Sequence, residues 1–513
     1  MLFRSGNIST LDVSEVDRGL LAVGTDDGVV AVSPDDGATW TRYGEFPDVP
    51  DTAYVSKVRL SAHDPDVLYV TFDDHRSNDF RPYVLRSDDR GESWESLAGD
   101  LPEFGSVRAF AEHPENPDLL FVGTEVAAWV SFDRGETWDR IAEEMPPVRI
   151  DDLQVHPRDN ALVIGTHGRG IWIVDDLNPL QGLADATARD EPWLFPVRPD
   201  LQYTPDPSPS SGNAAHRTYV VPNPPVGTTV WYFLPEDVAA GMEPDHEGEG
   251  GAADRSASEG DGAPGAGPGA DGLELEILGP DGTVVRTLDA PASAGLHGVH
   301  WDFRVDAPWR GPDGEDGADG GAPAVPGRYT ARLRVGGVDL EQAVEVEPDS
   351  HVTLDAIDLR RLFDVRMEQM RLDARLSMGL RQSEQLLAVV EDAREAMAEV
   401  EVPAELEARA DSVHGAIQEV RARLGAPGAR TPDGEDGSPG PTPVRRLVRI
   451  AAGVHRATTL PTEQEREALA SAETALAAQT ARLDVLLQEE LPAFFRALDE
   501  AGVPWSPGRP LGR

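Results

Sequence analysis

Short apolar runs alternate with polar turns along the first third of the chain. Three of these turns follow the pattern Ser-x-Asp-x-Gly-x-Thr/Ser-Trp; they begin at residues 33, 87 and 131, which is 54 and 44 residues apart. Asp and Ser side chains bond nearby backbone groups, and Gly adopts positive φ without strain, so each copy predicts a hairpin turn between two strands. The tryptophan is expected to pack between neighbouring repeats. The motif positions to which we assign a structural role are Ser33, Asp35, Gly37, Trp40, Ser87, Asp89, Gly91, Trp94, Ser131, Asp133, Gly135 and Trp138.

Other parts of the unit recur as well. Residues 113–124 precede the third copy, and residues 63–70 echo them before the second. A fourth unit, over residues 155–176, lacks the full motif. Strands, a Gly-Thr pair and an Asp-containing turn that repeat about every 45 residues are typical of four-stranded propeller blades. Residues 1–183 are therefore predicted to form about four blades, a partial β-propeller.

The pattern changes to strict alternation after a Pro-rich connector over residues 184–215. Apolar and polar positions alternate over residues 216–349, for example in Leu273-Glu274-Leu275-Glu276-Ile277, and a strand is also expected at residues 218–221. Period-two strands separated by turns such as Pro280-Asp281-Gly282 predict a small β-sandwich.

Helical periodicity begins near Thr353. Apolar positions predict one long helix continuing toward Val400, a second helix with Pro403 at its first position that runs to about Leu424, and a short helix over residues 444–457. Thr462-Glu463-Gln464-Glu465 is a capping box that opens the last long helix. Residues 350–505 are thus predicted to form a helical hairpin or bundle, which makes the chain multidomain and mainly β.

Three segments interrupt these elements. Residues 244–272, 311–324 and 425–443 contain few apolar side chains, and the first two are rich in Gly and acidic residues. Such composition predicts disordered loops.

The net charge of −47, from 92 acidic and 45 basic residues in 513, limits which classes of partner the chain can bind. Phosphate would be repelled, so nucleic acid is excluded as a partner. Such acidity suits high salt, as in a halophilic source; a GC-rich genome that favours Arg, Ala, Gly and Asp is the alternative, and the acid excess favours the first.

Several site classes are also excluded. The chain has no cysteine, and its 12 histidines show no metal-ligand spacing, so we expect no metal and no cofactor. No apolar stretch is long enough to span a membrane, and no signal peptide is visible.

The repeated motif resembles the Asp-box, or bacterial neuraminidase repeat, of sialidases, sortilin-type receptors and xyloglucan-cleaving propellers. Residues 24–183 are most similar to a group of large prokaryotic propeller proteins labelled glycosyl hydrolases or sortilin-like. The matching pieces are residues 74–83, 123–125 and 166–176. Those proteins have further blades upstream, so the resemblance implies that the chain corresponds to their C-terminal half. It also implies a secreted or cell-envelope location. About four blades leave open edges, so we expect an open arc, or a ring that an upstream propeller half or a second copy closes.

A second resemblance concerns the sandwich. Residues 295–304, followed later by residues 325–329, resemble the Ig-like module of flagellar hook-capping proteins. The resemblance implies an Ig-like sandwich after the propeller.

Two polar loops contain the candidate site. Asp74, His75 and Arg76 lie in an insertion of the second unit, and His167 and Arg169 lie in a turn of the fourth. We expect these five residues to bind a ligand, since loops between propeller strands often line the central face; the alternative is that they cap turns and bridge blades. Two further residues, Asp79 and Glu125, are weak catalytic candidates.

Catalysis has little support in the sequence. Glycoside hydrolysis needs two placed carboxylates, or a Tyr nucleophile with an arginine cluster. Arg76, Arg108 and Arg169 do not repeat with the blades, and the Asp-box acids lie in peripheral turns. The sequence therefore favours a non-catalytic scaffold that binds protein or glycan, with a sialidase- or xyloglucanase-like glycoside hydrolase as the alternative.

Overall fold

A computed structural model describes residues 6–142, 144–203, 224–236, 238, 272–308, 320–429, 442–452 and 459–504. Its first part consists of four antiparallel sheets, here called blades 1 to 4, in which consecutive strands are neighbours. Blade 1 contains β1 (Ile8–Val13), β2 (Leu21–Thr25), β3 (Val30–Ser33) and β4 (Thr41–Tyr43). Blade 2 contains β5 (Tyr54–Leu60), β6 (Leu68–Asp73), β7 (Tyr83–Ser87) and β8 (Glu95–Ser96). Blade 3 contains β9 (Val107–Glu112), β10 (Leu120–Thr124), β11 (Ala128–Ser131) and β12 (Asp139–Ile141).

The blades are stacked as in a β-propeller. The first strands of successive blades contact one another, β1 with β5, β5 with β9 and β9 with β13 (Ile150–His156). Three apolar clusters fill the seams between the blades, and they contain Val55 in the first seam, Phe110 in the second and Leu153 in the third, each no more than 1% exposed. The first strands therefore lie nearest the axis, and the third and fourth strands lie at the periphery.

Blade 4 is shorter than the sequence predicted. It contains three strands in the described residues, β13, β14 (Ala161–Thr166) and β15 (Ile171–Val174). The chain then enters helix α1 (Asn178–Thr187), which crosses the expected boundary at residue 183. Pro179 suits the first turn of a helix, and the buried Leu177 anchors the start of α1 on the core between blades 3 and 4.

Two further sheets enclose a second core. One has the order β16 (Trp193–Leu194), β18 (Thr228–Leu234), β21 (Gly295–Trp301). The other has the order β17 (Asp200–Gln202), β23 (Val338–Pro348), β22 (Gly327–Val335), β19 (Leu273–Leu278), β20 (Val284–Leu288). Alternate residues of both sheets, including Tyr232, Trp301 and Leu333, are buried in one cluster, which agrees with the period-two pattern. The strand expected at residues 218–221 lies outside the described residues.

Two expectations about irregular segments need correction. The connector predicted over residues 184–215 contains β16 and β17, because Leu194 and Val197 are apolar and join the core of the two sheets. In the insert predicted over residues 311–324, the end is ordered: Ala322 and Ala324 are buried, and Ala324 N donates to Phe303 O at 2.7 Å. The parts of the three predicted disordered loops at residues 244–271, 311–319 and 430–441 lie outside the described residues.

The C-terminal part is helical. It contains α2 (Ala356–Ala398), α3 (Ala404–Leu424), α4 (Val444–Ala451), α5 (Glu463–Val485), a π-helical turn at Leu486–Glu490 and α6 (Leu491–Glu500). Thr462 and Glu465 form the predicted capping box, whereas Pro403 is the N-cap of α3 rather than its first residue. Residues 425–429, expected in a loop, begin with Gly425, whose φ of +92° ends α3. The helices share one core, and none in the described residues is both long and apolar enough to cross a membrane.

Candidate functional site

One end of the stacked blades, here called the upper face, collects the loops that the sequence singled out. The start of each first strand pairs with the end of each second strand, as in Tyr54 with Asp73 and Ile150 with Thr166. The loops between second and third strands therefore lie at the same end as the beginnings of the inner strands. The turns with the repeated Ser-x-Asp-x-Gly motif join third and fourth strands, so they lie at the opposite end, on the outer part of each blade.

The first group on the upper face is the Arg108 cluster, formed by Asp73, His75, Arg108 and Glu125. Arg108, on the inner strand of blade 3, reaches Asp73 Oδ2 of blade 2 with Nη2 at 2.9 Å and donates from Nε to Glu125 Oε2 at 3.0 Å. His75 Nδ1 lies 2.8 Å from Asp73. The Asp73 side chain is only 2% exposed, so the arginine compensates a buried carboxylate and ties blade 2 to blade 3.

The second group is the His167 cluster of blade 4, formed by Arg149, Asp151 and His167. His167 Nδ1 lies 3.0 Å from Asp151 Oδ2, and Arg149 Nε donates to Asp151 Oδ1 at 2.7 Å. Burial raises the pKa of Asp151, but the hydrogen bonds from Arg149 and His167 outweigh it and leave that pKa below its ordinary value. The carboxylate is therefore ionised at neutral pH.

Backbone hydrogen bonds connect the two clusters. Val148 N donates to Val126 O at 3.2 Å, next to Glu125, and His167 N donates to Arg149 O at 2.9 Å. Lys57, which is the one lysine of the chain, crosses from blade 2 to Asp152 of blade 4 at 2.9 Å. Blades 2, 3 and 4 thus carry a row of paired charges at the upper face and, for Lys57 and Asp152, farther along the inner strands.

An exposed aromatic pair adjoins the row. The rings of Phe80 and Phe104 are stacked with centroids 5.1 Å apart, and Phe104 is 57% exposed. Gly105 N donates to Phe80 O at 2.8 Å, which holds the two loops together. Gly105 also lies against Thr124, next to Glu125. An apolar platform therefore lies beside the Arg108 cluster.

The other candidate residues have local partners. Asp74 accepts from Ser77 Oγ at 2.8 Å and stabilises the short turn at His75–Ser77. The Arg76 guanidinium lies 5.9 Å from the Tyr54 ring centroid. Asp79 accepts from Arg81 Nη2 at 2.6 Å and from Tyr83 Oη at 2.8 Å. These loops are ordered by hydrogen bonds and stacking within blade 2.

Arg169 lies at the tip of the blade 4 hairpin. It stands between Gly168 and Gly170, both at positive φ, and its carbonyl accepts from Trp172 Nε1 at 3.2 Å. Its backbone geometry is therefore fixed by the turn.

The aspartates of the repeated motif, Asp35, Asp89 and Asp133, make hydrogen bonds inside their own turns. In each copy the aspartate accepts from the preceding serine hydroxyl and from both the backbone N–H and the hydroxyl of the Thr or Ser four residues later, at 2.6 to 3.0 Å. The Gly of each copy donates its N–H back to the same serine at 2.7 to 2.8 Å. The three repeats therefore build the same closed turn.

A small cavity of about 150 Å³ lies at the lower ends of the inner strands. Asp12, Arg59, Glu112 and Gln154 line it, one from each blade. Asp12 pairs with Arg59 at 3.1 Å, and Glu112 accepts from Ala62 N at 2.8 Å. These acids bind blade 2 to its neighbours. Nowhere in the described ranges do three metal-ligating side chains come together as a metal site would require.

Sequence reasoning missed part of this arrangement. Lys57, Arg149 and Asp151 were not candidates. Asp73 begins the candidate loop over residues 73–79, but its pairing with Arg108 was not expected. Lys57 and Asp73 pair with Asp152 and Arg108 of other blades, up to 95 residues away in the chain, so the stacking of the blades brings these charges together. An alignment of the blades is the sequence signal that could have found them, since Lys57 and Asp151 lie on inner strands and Asp73 ends a second strand.

The strand order and the seams define a mainly β protein with propeller blades. No protein-family model and no curated protein matches the sequence. Among solved structures, YCF48 bound to D1 peptide is similar over 32% of this chain and 49% of that chain, with 18% identity and a TM-score of 0.26. YCF48 from Cyanidioschyzon merolae is similar over 35% of this chain and 64% of that chain, with 18% identity and a TM-score of 0.24. The matched part covers less than two thirds of either structure.

Proposed function

We propose that this chain is a non-catalytic Asp-box propeller scaffold that binds a protein ligand through its upper face. The proposal assigns ligand contact to the Arg108 cluster, the His167 cluster and the Phe80–Phe104 platform. Paired charges that are partly exposed can exchange partners with a polar ligand, while the aromatic pair contributes apolar contact. Arg108 and Arg149 are the expected anchors for carboxylates of the ligand, because a guanidinium binds a carboxylate with two hydrogen bonds.

One observation supports a binding role above the others. The two weak catalytic candidates are both engaged, Asp79 by Arg81 and Tyr83, and Glu125 by Arg108. The hydrogen bond from Arg81 holds the pKa of Asp79 well below its ordinary value. A general acid for glycoside hydrolysis needs a raised pKa, so Asp79 is unsuited to protonate a leaving group at neutral pH.

A glycan is the second candidate ligand. It is favoured by the exposed Phe80–Phe104 stack, since sugar rings pack on aromatic faces beside hydrogen-bonding groups. In the glycoside hydrolase alternative, the glycan binds at the same upper face and is also hydrolysed there.

The remaining parts fit a scaffold. We propose that the two sheets after the blades form an Ig-like sandwich and that the helices form a bundle, so that residues 1–183, 216–349 and 350–505 act as docking modules of a secreted or cell-envelope protein. The shared core of the two sheets supports the sandwich, and the shared helical core supports the bundle.

Binding and turnover can be measured on the same samples. The full chain is applied to an array of polysaccharides and acidic peptides, and released reducing sugar is measured for every glycan. We expect binding that Arg149→Ala weakens, with no sugar released; Arg158→Ala, on an exposed turn away from the upper face, is the matched control. Release of sugar that Asp79→Asn or Glu125→Gln abolishes would overturn the non-catalytic role.

A further inference from the structure

The free side of blade 1 carries residues that other blades bury. Leu11 pairs with Val23 on the inner strand of blade 1 and is 55% exposed. The residues at the same register position in the other blades are each 1% exposed, because each packs on the blade before it: Val58, Phe110 and Leu153. Val13, two residues later, is 52% exposed, whereas its counterparts Leu60 and Val155 are each 8% exposed.

The free side of blade 4 also exposes residues whose counterparts in the other blades are buried, in this case against the blade that follows. Ile171 pairs with Gly165 and is 72% exposed. The residues at that position in the other blades are fully buried against the next blade: Val30, Val84 and Ala128. Ile173 is 55% exposed, while its counterparts Val32 and Val130 are 4% and 3% exposed.

The tryptophans of the repeated motif are also buried where a preceding blade is present and exposed where it is absent. Trp138 is 4% exposed and donates from Nε1 to Leu97 O of blade 2 at 2.9 Å. Trp94 packs on Phe46, which follows the last strand of blade 1, with ring centroids 5.3 Å apart. Trp40 of blade 1 is 39% exposed and bonds within its own turn, to Gly37 O. The free sides of blades 1 and 4, here called the end faces, therefore carry the apolar residues of a seam. No other blade in the described residues packs on them.

We propose that a second copy of this chain covers both end faces, with blade 1 of each copy packed on blade 4 of the other. The two faces are the two halves of the seam that already forms three times within the chain, so blade 4 of one copy fits blade 1 of another as blade 3 fits blade 4. A twofold axis along the propeller axis makes both seams at once and gives a closed ring of eight blades, within the size range of propellers.

The net charge sets the conditions for this dimer. Each copy carries −47, so long-range repulsion opposes association at low ionic strength and salt screens it. The contact itself is apolar, through Leu11, Val13, Ile171 and Ile173. Association is therefore expected to strengthen as salt is added, the opposite of an interface held by ion pairs.

The test is the mass of the full chain by multi-angle light scattering, at several concentrations and from about 0.1 M to about 2 M NaCl. The expected mass at high salt is twice the chain mass of 55.3 kDa. Leu11→Asp and Ile171→Asp should each raise the dissociation constant about tenfold or more, as burial of one large aliphatic side chain predicts. Both residues are exposed in the single chain, so each variant should fold, as unchanged circular dichroism would show.

Two controls identify the seam. Ile357→Asp replaces a residue that is 64% exposed on α2 and should leave the dimer intact. A mixture of the Leu11→Asp and Ile171→Asp variants has one seam with both substitutions and one with neither, so the mixture should associate more tightly than either variant alone. A monomer at every salt and concentration, a dimer that neither variant weakens, or a mixture no tighter than its parts would overturn the proposal.

Discussion

Trp138 of blade 3 donates its indole N–H to the carbonyl of Leu97 in blade 2. The same side chain is 4% exposed, and its backbone N–H donates to Asp100 at 2.8 Å. In blades 2 and 3 the repeated motif therefore joins neighbouring blades. Its acids close the turn, and the tryptophans Trp94 and Trp138 contact the preceding blade.

Replacing a tryptophan should cost more stability when the side chain lies in a seam between blades than when it lies on the surface. Trp138→Ala should lower the free energy of unfolding by about 3–5 kcal/mol, because it leaves a cavity in the seam. Trp40→Ala should cost less than about 1 kcal/mol while the chain is monomeric, as expected for a surface substitution. Urea unfolding followed by circular dichroism checks both variants. Equal losses of unfolding free energy in the two variants would mean that the contact of Trp138 with blade 2 adds no stability beyond what the turn itself provides.

Substitution of the glycines of the repeated motif should likewise cost more stability at a seam than at the free side of blade 1. Gly91 has a φ of +101°, and a Cβ there would lie 2.5 Å from the Tyr43 ring of blade 1. Gly37 has a φ of +86°, but its nearest neighbour would be 3.6 Å away, in its own turn. Gly37→Ala should therefore cost about 1 kcal/mol from backbone strain, and Gly91→Ala should cost more because the seam must also open. Thermal unfolding of the two variants ranks them, and the reverse order would contradict the seam geometry.

Arg108 is expected to be a strong contributor to stability at the upper face. Arg108→Ala removes the guanidinium that pairs with the buried Asp73 carboxylate and leaves that carboxylate beside His75, which should cost about 3 kcal/mol. Arg81→Ala removes an arginine that is 57% exposed from its pair with Asp79 and should cost less than about 1 kcal/mol. Urea unfolding measures both.

A second substitution tests whether the stability lost in Arg108→Ala comes from the buried charge of Asp73. Asp73→Asn removes the buried charge, so it should recover part of the stability lost in Arg108→Ala. Failure of the double variant to recover stability would place the role of Arg108 in packing rather than in charge compensation.

The aspartates of the repeated motif should make the free energy of unfolding depend on pH in acid. Hydrogen bonds from Ser93, first from its side chain and then from its backbone, lower the pKa of Asp89 below its ordinary value of 3.8. The folded state thus binds fewer protons than the unfolded state, so this contribution is complete above that value and is lost as the pH falls through the lowered pKa. Asp35→Asn, Asp89→Asn and Asp133→Asn combined should flatten the decline of stability below about pH 4. An unchanged pH profile would show that other carboxylates dominate acid unfolding.

Local patterns were sufficient for most of the elements. Ser, Asp and Gly at fixed offsets predict the three repeated turns, and Thr462 with Glu465 predicts the start of α5, because each feature depends on neighbours within a few residues. The strands of the connector were missed because Trp193 and Leu194 pair with residues more than thirty positions away, Phe233 and Tyr232.

The candidate site was predictable only in part. The loops that contain His75 and His167 were found because their composition is unusual, and Glu125 was found by resemblance. Their partners could not be found in this way, since Asp73 meets Arg108 and Lys57 meets Asp152 only after blades stack. The exposure of Leu11 and Ile171 is also invisible in sequence, where both resemble their buried counterparts.

Images of single particles at high salt test the central claim most directly, because averaged views along the propeller axis show how many blades surround it. We predict a ring of eight blades with twofold symmetry and two copies of the sandwich and helices. Isolated arcs of four blades at a concentration and salt where the mass is constant would contradict it, as would a ring with any other number of blades.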